Sequence, residues 1–378
     1  MVSPSSGSYL TVFAADVARP NTSNLNYTPG QGPVSNAVTA SLSADGNIDV
    51  YNHLGSVDVI IDINGYYVPS ASGPAGSTGS VGSAGPVSAS CIALIRWDTC
   101  NKPTATVPVG TYPRGVAFDG TNIWVANYVS GTVSKVDPVS NTVTATVTVG
   151  SNPRGVAFDG TNIWVTNNGS NTVSKIDPVS NAVTATVTVG SYPWGVAFDG
   201  TNIWVTNNGS NTVSKIDPVS NAVTATVPVG SYPWGVAFDG TNIWVANSDS
   251  GTVSKIDPVS TLVTATVTVG TGPYSVAFDG TNIWVANYVS GTVSKIDPVS
   301  TLVTATVTVD TGPYSVAFDG TNIWVANSDS GTVSKINPVS NAVTATVNVG
   351  SYPRGVAFDG TNIWVTNSGT GTVSKIRV

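Results

Sequence analysis

The side chains that most often carry catalysis or bind metals are few in this sequence of 378 residues. His53 is the only histidine, Cys91 and Cys100 are the only cysteines, and the 21 acidic residues are all aspartate. A nucleophile, histidine and acid set, an HExxH motif and a phosphate-binding glycine loop are all absent from the sequence. We therefore expect no catalytic residue, no metal ion and no cofactor, and we predict that the chain is not an enzyme.

The cysteines and the histidine have structural interpretations. A disulfide between Cys91 and Cys100 would suit a secreted protein, and two free thiols would suit a reducing compartment; we favour the disulfide. Two cysteines with no histidine nearby cannot hold a zinc ion. His53 is expected to be a surface residue of a strand.

The stronger candidates are residues that vary between near-identical segments of 40 residues. One position follows a proline and carries, in order, Arg114, Arg154, Trp194, Trp234, Tyr274, Tyr314 and Arg354. A second position carries Tyr128, Asn168, Asn208, Ser248, Tyr288, Ser328 and Ser368. Guanidinium groups bind carboxylate, sulfate or phosphate through paired hydrogen bonds, and flat aromatic rings suit sugars or apolar side chains. We predict a ligand-binding face formed by the first set with Tyr128 and Tyr288; alternatively, the pattern only reflects duplication of blocks of the chain.

These residues sit on an internal repeat. The string VAFDGTNIWV occurs seven times without drift, beginning at Val116, Val156, Val196, Val236, Val276, Val316 and Val356. A fixed period of this length, with short β segments and no helical pattern, is typical of a β-propeller with one blade per repeat. One Met, one Gln and no Glu also argue against long helices, whereas 39 Gly and 23 Pro supply many turns. The fold class predicted is therefore all-β.

Each repeat is expected to form four strands. In the first repeat they are strand A at 115–118, strand B at 123–126, strand C at 132–136 and strand D at 143–149. Asp119 and Gly120 close a tight hairpin between A and B, and Asp137 with Pro138 starts the turn between C and D. The variable positions then lie in the D to A and B to C loops, on one face of the disc.

The two ends of the repeat region complement each other. The last repeat ends at Val378 after its third strand, and residues 104–109 read as a fourth strand with no partner before it. We predict that this N-terminal strand pairs with the last blade and closes a ring of seven blades over residues 103–378.

Positions that are the same in every repeat are assigned structural roles. Asp119 and its equivalents are expected to form turns, Asn127 to cap the B to C turn, and Lys135 to be a solvated charge near Asp137. Seven tryptophans at the middle of strand B are expected to pack between blades, namely Trp124, Trp164, Trp204, Trp244, Trp284, Trp324 and Trp364.

Charge and hydropathy limit the partners. The formal net charge is −7, with no basic stripe for a nucleic acid backbone, so we predict no nucleic acid binding. The longest apolar run, residues 57–68, contains Asp58, Asp62 and Asn64, so we predict no membrane insertion.

The first hundred residues are predicted to form three further parts. Residues 1–70 resemble the C-terminal half of a β module of secreted actinobacterial and related proteins, as in the segment GNIDVYNHLGSVDVIIDINGYYV. Residues 71–90 form a Gly/Ser-rich linker with five collagen-like Gly-x-y triplets, and residues 91–102 form a connector bounded by the cysteines. The linker is interpreted as a flexible spacer, with a trimerising stalk as the alternative; the propeller itself is expected to be monomeric.

The WVTN motifs, at 164–167, 204–207 and 364–367, are each followed by TVSKI. The chain thereby resembles the YVTN family of β-propeller repeat proteins over about three quarters of its length. That family includes surface-layer and secreted proteins, so the resemblance implies a secreted or cell-surface location. The related virginiamycin B lyase family depends on a histidine and a metal site at the centre, and this sequence departs from it because residues 103–378 contain neither His nor Glu. The chain as given has no signal peptide, and we expect that its true start lies upstream.

The function predicted from the sequence is binding or adhesion. The Arg and aromatic face would bind an extracellular glycan or protein ligand. The alternatives are a structural spacer in a surface layer or fibre, and a metal-dependent lyase or lactonase.

Overall fold

The architecture is given by a computed structural model, which describes residues 8–14, 25–27, 48–52 and 102–378. The first three of these segments are strands β1 (Ser8–Ala14), β2 (Leu25–Tyr27) and β3 (Ile48–Asn52). They form an antiparallel sheet in the order β2-β1-β3. The described part of the chain contains no helix with the length and apolarity needed to span a bilayer.

Residues from 102 onward form seven sheets of four antiparallel strands, which are the blades of a seven-bladed propeller. The first strands are β5 (Pro113–Phe118), β9 (Pro153–Phe158), β13 (Pro193–Phe198), β17 (Pro233–Phe238), β21 (Pro273–Phe278), β25 (Pro313–Phe318) and β29 (Pro353–Phe358). The second strands are β6 (Ile123–Asn127), β10 (Ile163–Asn167), β14 (Ile203–Asn207), β18 (Ile243–Asn247), β22 (Ile283–Asn287), β26 (Ile323–Asn327) and β30 (Asn362–Asn367). The third strands are β7 (Thr132–Asp137), β11 (Thr172–Asp177), β15 (Thr212–Asp217), β19 (Thr252–Asp257), β23 (Thr292–Asp297), β27 (Thr332–Asn337) and β31 (Thr372–Arg377). The fourth strands are β8 (Thr142–Thr148), β12 (Ala182–Thr188), β16 (Ala222–Pro228), β20 (Leu262–Thr268), β24 (Leu302–Thr308), β28 (Ala342–Asn348) and β4 (Ala105–Pro108).

The ring closes through β4. This strand pairs antiparallel with β31, with Val107 opposite Val373, in the register that β8 uses on β7. Blade 7 therefore consists of β29, β30, β31 and β4, and the prediction that an N-terminal strand completes the last blade is confirmed. The first strands of neighbouring blades contact one another around the whole ring, including β29 with β5, so they line its centre.

The turn between the first and second strands depends on one carboxylate. Asp119 Oδ1 accepts hydrogen bonds from the backbone N–H groups of Thr121 and Asn122, at 2.8 and 2.6 Å. Its Oδ2 accepts the indole N–H of Trp124 at 2.7 Å. Gly120 adopts a φ of 91°, which a residue with a Cβ rarely adopts. The same carboxylate therefore closes the hairpin and fixes the orientation of the tryptophan.

The core consists of one apolar layer between each pair of blades. The ring of Trp124 is fully buried and packs with Val133 and Val147 of its own blade and with Ile163 and Ile176 of the next. The other six tryptophans of the second strands occupy equivalent clusters, in which only Trp324 shows any exposure. Burying such a large apolar surface at each junction stabilises the contact between blades.

The lysines of the third strands also connect blades. Lys135 Nζ donates a hydrogen bond to the carbonyl oxygen of Pro178 in the next blade at 2.8 Å, and it lies 5.4 Å from the ring centroid of Trp124. The same bond to the next blade is made by Lys175, Lys215, Lys255, Lys295 and Lys375. The expectation that these lysines are solvated charges near their own Asp residues is therefore wrong, because each ammonium group reaches a carbonyl across the blade junction.

Lys335 differs from the other six lysines. Its Nζ lies 5.1 Å from the ring centroid of Trp324, but the following blade is blade 7, whose third and fourth strands come from opposite ends of the propeller. Blade 7 has no turn between these strands, so within the described residues it offers Lys335 no carbonyl equivalent to that of Pro178.

Replacing Trp204 by Ala should lower the free energy of unfolding by about 3–5 kcal/mol, since the indole fills the junction between blades 3 and 4. Denaturant unfolding monitored by circular dichroism measures this change. Val219→Ala in the same blade is the matched control, because Val219 is 88% exposed and should change stability by about 0.5 kcal/mol or less. An unchanged unfolding free energy for Trp204→Ala would contradict the packing role.

Lys295→Met and Lys335→Met form a second matched pair. Both substitutions remove an ammonium group from a tryptophan face. Only Lys295→Met also removes a hydrogen bond, which Lys295 donates to the carbonyl of Pro338 at 2.8 Å. We expect Lys295→Met to be more destabilising than Lys335→Met by about 1 kcal/mol in the same unfolding assay. Equal losses would mean that the bond between blades contributes nothing measurable.

Candidate functional site

The variable residue after each proline lies at a β-bulge at the start of the innermost strand. In blade 1, Pro113 pairs with Asn127 and Val116 pairs with Val125, so Arg114 and its neighbour oppose a single residue of β6. The corresponding register shift occurs in all seven blades. These residues were predicted to lie in the D to A loops; they are instead the second residues of the first strands. A bulge redirects a side chain, and here it places each variable residue at one end of the ring's centre.

The two variable positions share one face, as predicted. The backbone N–H of Tyr128, after the second strand, donates to the carbonyl of Tyr112, before the first strand, at 3.0 Å. The N–H of Tyr288 donates in the same way to the carbonyl of Gly272 at 2.7 Å. The loop carrying Tyr128 or Tyr288 is thus fixed beside the bulge of its own blade.

The nine residues predicted from the sequence form one contiguous group, here called the central cluster: Arg114, Arg154, Trp194, Trp234, Tyr274, Tyr314, Arg354, Tyr128 and Tyr288. Its cationic half comes from blades 7, 1 and 2. Arg114 donates a hydrogen bond from Nη1 to the hydroxyl of Tyr314 at 3.3 Å, and Arg354 lies over the same ring at 4.2 Å from its centroid. Tyr128 lies between Arg114 and Arg154, whose guanidinium carbons are 5.1 and 4.6 Å from its ring centroid.

The other half of the central cluster is a column of stacked rings. The guanidinium of Arg154 lies 3.4 Å from the ring centroid of Trp194, whose centroid is 3.8 Å from that of Trp234. Tyr274 stacks on Trp234 at 3.6 Å and on Tyr288 at 4.6 Å. Trp194, Trp234 and Tyr274 thus each contact two neighbouring groups of the column, while part of each side chain remains exposed. Their role in binding a sugar or an apolar side chain stays a prediction.

Burial of positive charge distinguishes the arginine half. The pKa of Arg154 is lowered from its usual 12.5 to about 10, mainly by burial and also by the charge of Arg114, while the hydroxyl groups of Tyr314 and Tyr128 oppose this shift. Arg154 therefore remains charged at neutral pH. The Nε atoms of Arg114, Arg154 and Arg354 are buried and have no hydrogen-bond partner. Among residues 102–378, no carboxylate forms an ion pair with any of the three guanidinium groups.

The tyrosines on the opposite side carry raised pKa values. Burial raises the pKa of Tyr274 to about 12, with the neighbouring Tyr314 and Tyr288 adding to the shift. Burial also raises the pKa of Tyr288, and a hydrogen bond from its hydroxyl to the Asp329 carboxylate, at 2.9 and 3.0 Å, contributes to that shift. Asp329 was not predicted as a site residue; its only sequence signal is that the loop position after the second strand varies between repeats.

Three threonines position the central cluster and were also missed. Thr166 accepts the N–H of Gly155 at 2.8 Å and donates to the carbonyl of Trp194 in the next blade at 2.7 Å. Thr206 and Thr366 bond the carbonyls of Trp234 and Arg114 in the same way, at 2.6 Å each. The sequence signal was that the second strand reads WVTN in blades 2, 3 and 7 and WVAN in the other four. In the WVTN blades, the threonine hydroxyl bonds the backbone carbonyl of the variable residue in the next blade.

Other candidates from the sequence are not part of the described structure. Cys91, Cys100 and His53 lie outside the described residues, as do residues 71–90. Within the part of the chain that the structure describes, no three His, Cys, Asp or Glu side chains are grouped so that they could hold a metal ion.

Sequence comparison identifies no family: no protein-family model and no curated protein matches this chain. Its fold is similar to that of hydrazine synthase from Kuenenia stuttgartiensis, at 20% identity and a TM-score of 0.64, over 75% of this chain and 98% of that one. It is also similar to virginiamycin B lyase from Staphylococcus aureus, at 16% identity and a TM-score of 0.63, over 72% and 98% of the two chains. A streptogramin B lyase matches at 16% identity and a TM-score of 0.61, over 72% of this chain and 96% of that one. At these identities the likeness shows the fold.

The prediction that the chain is not an enzyme is contradicted by these neighbours, since a synthase and two lyases share its propeller fold. That prediction depended on the absence of His and Glu from residues 103–378. Tyr, Lys, Asp and Arg also serve in acid–base, nucleophilic and electrostatic catalysis, and the propeller contains all four.

Tyr274→Phe tests the raised pKa. In the unfolded chain Tyr274 ionises near its ordinary pKa of 10, whereas in the folded protein it ionises at about 12. The neutral hydroxyl therefore contributes stability that is fully present below pH 10 and is lost as the pH rises towards 12. We expect the parent protein to lose stability relative to Tyr274→Phe over this interval, measured by thermal unfolding at a series of pH values. A constant difference between the two proteins across the interval would contradict the assignment.

Proposed function

We propose that the arginine half of the central cluster binds the anionic group of a ligand. The observation that carries this proposal is that Arg114, Arg154 and Arg354 each have a buried Nε donor without a partner and no described carboxylate as a counter-ion. Three like charges held in adjacent blades repel one another. An oxyanion would neutralise that repulsion and accept the unused hydrogen bonds.

The chemical class of the anion follows from the guanidinium groups. Each offers a planar fork of N–H donors that matches the oxygens of a carboxylate, sulfate or phosphate. The net charge of the chain is −7, so the cationic character is a local property of this half of the cluster rather than of the whole protein. The threonine bonds to the carbonyls of Arg114, Trp194 and Trp234 hold the backbone in place, which lowers the ordering cost of binding.

The ligand that we propose is an extracellular glycan or protein bearing such a group, bound by a secreted or cell-surface protein. The resemblance to the YVTN family supports this location. Turnover of the bound ligand is the second candidate function, favoured by the enzymes among the structural neighbours. A lyase acting on an acidic ligand would need the same anion site to orient its substrate.

Sulfate, phosphate and acetate are titrated into the full chain by calorimetry, at constant ionic strength with chloride as the reference anion. We expect at least one oxyanion to bind, and Arg154→Gln to weaken that binding about tenfold or more, since a charge-assisted hydrogen bond contributes about 1.5–3 kcal/mol. Arg377→Gln is the matched control: it removes the same charge from an exposed position and should leave the affinity unchanged.

Two results would overturn the proposal. One is the absence of oxyanion binding by the parent chain, which would favour a structural spacer. The other is equal affinity of the parent and Arg154→Gln, which would place the anion elsewhere. Mass spectrometry of acidic glycans incubated with the full chain tests turnover, and unchanged glycans would exclude it for those substrates.

A further inference from the structure

Four tyrosines on the loop face have an unusual backbone conformation. Tyr112, Tyr192, Tyr232 and Tyr352 have φ values of 54°, 52°, 53° and 53°. This left-handed region is disfavoured for bulky residues because the Cβ crowds the backbone. The four side chains, here called the rim tyrosines, are 48%, 57%, 50% and 54% exposed. Their strain is therefore not offset by burial of the ring.

The loop itself does not require a tyrosine. The other three blades have Asn152, Gly272 and Gly312 at this position, with φ values of 54°, 66° and 70°. Glycine and asparagine adopt this conformation more readily than tyrosine. Three blades of the same propeller therefore form this loop without a strained tyrosine. Backbone strain that is kept at an exposed position points to a role other than folding.

The backbone carbonyl of each rim tyrosine accepts a hydrogen bond from the loop after the second strand, and the backbone N–H groups of Tyr192 and Tyr232 also donate one. The N–H of Tyr192 donates to Asn171 Oδ1 of the preceding blade at 2.8 Å, and its carbonyl accepts the N–H of Asn208 at 3.1 Å. The ring of Tyr192 lies so close to Gly209 that a side chain there would overlap it, and Tyr352 lies in the same way beside Gly369. The rings of Tyr192 and Tyr352 thus lie against the neighbouring loop while about half of each side chain remains exposed.

The loop beside Tyr192 is polar and uncharged, whereas the equivalent loop position beside Tyr232 carries Asp249. Ser191 and Ser210 flank Tyr192, joined by a backbone-to-hydroxyl hydrogen bond at 2.7 Å. Tyr112 lines a groove of about 320 Å³ together with Thr111 and residues 368–371 of blade 7, where the ring closes. An aromatic face bordered by hydroxyl and backbone groups is complementary to a pyranose, which has an apolar C–H face and hydroxyls around its edge.

A protein partner fits these features less well. Protein interfaces have a contiguous, well-packed apolar core, whereas no ring contact joins the rim tyrosines to one another in the described propeller. Separate platforms, two at blades 7 and 1 and two at blades 3 and 4, suit a polymer of repeating units.

We propose that the rim tyrosines are carbohydrate-binding subsites, each stacking on one pyranose ring of a neutral or acidic polysaccharide. The assignment differs from the anion site in residues and in chemistry. Trp194, Trp234 and Tyr274 of the central cluster pack against neighbouring rings, whereas no ring contact involves a rim tyrosine in the described propeller. Tyr112 and Tyr352 lie two residues before Arg114 and Arg354, so an acidic polysaccharide could occupy both kinds of site.

The test uses the full chain and soluble neutral polysaccharides, namely glucan, mannan, galactan and chitin oligosaccharides, in calorimetric or interferometric titrations. We expect one of these to bind, and a variant with Tyr→Asn at all four rim positions to bind at least about tenfold more weakly, since it loses the stacking of four aromatic rings. Asn already occupies the equivalent position of blade 2, so the variant should retain or exceed the parent's thermal stability. A variant with Tyr→Phe at the same positions keeps the rings and should keep most of the affinity.

Failure of every neutral polysaccharide to bind would overturn the proposal, as would equal binding by the parent and the Asn variant. If the fourfold Asn variant does not fold, the single variant Tyr192→Asn replaces it under the same criteria. Sulfate is titrated separately, so failure of the anion site has no bearing on the neutral-polysaccharide result, and success of one does not imply the other.

Discussion

The packing of one blade on the next depends on a tryptophan held by an aspartate. A buried indole needs a partner for its N–H, and Asp119 supplies it to Trp124 with the same carboxylate that closes the adjoining hairpin. The oriented ring then packs on Ile163 and Ile176 of the next blade. Repeating this junction seven times determines the angle between blades, and the pairing of β4 with β31 completes the circle.

Closure of the ring brings distant residues together at its centre. The innermost strands converge there, and the bulge at each strand's start directs its second residue to the same end. Arg354, Arg114 and Arg154 become neighbours because blade 7 adjoins blade 1. The fold is stabilised by the repeated positions, so the varied positions are free to hold charges that are not compensated within the described residues. Uncompensated buried charges lower the stability of a fold, and they are typical of binding sites.

The comparisons and the site contribute different kinds of information. Propeller enzymes of low sequence identity establish the architecture, while their chemistry does not transfer with it. Anion binding is inferred from three unpartnered donors of this chain. Carbohydrate binding is inferred from four strained and exposed tyrosines. Each proposal therefore stands on residues that distinguish one blade from another, not on the features that all propellers share.

The sequence alone determined the fold and the membership of the cluster. A 40-residue period, Asp-Gly turns and Val-rich strands are local signals, so the strands, the blade count and the closing strand were predicted, as were the nine clustered residues. The contacts of these residues, in contrast, follow from the packing of one blade on the next. Stacking of Trp194 on Trp234, the bond from Lys135 to Pro178 and the φ of Tyr192 depend on atoms of other blades or loops. A periodic pattern specifies which residues recur, whereas contacts depend on the angle between blades and on bulge geometry, which no short segment encodes.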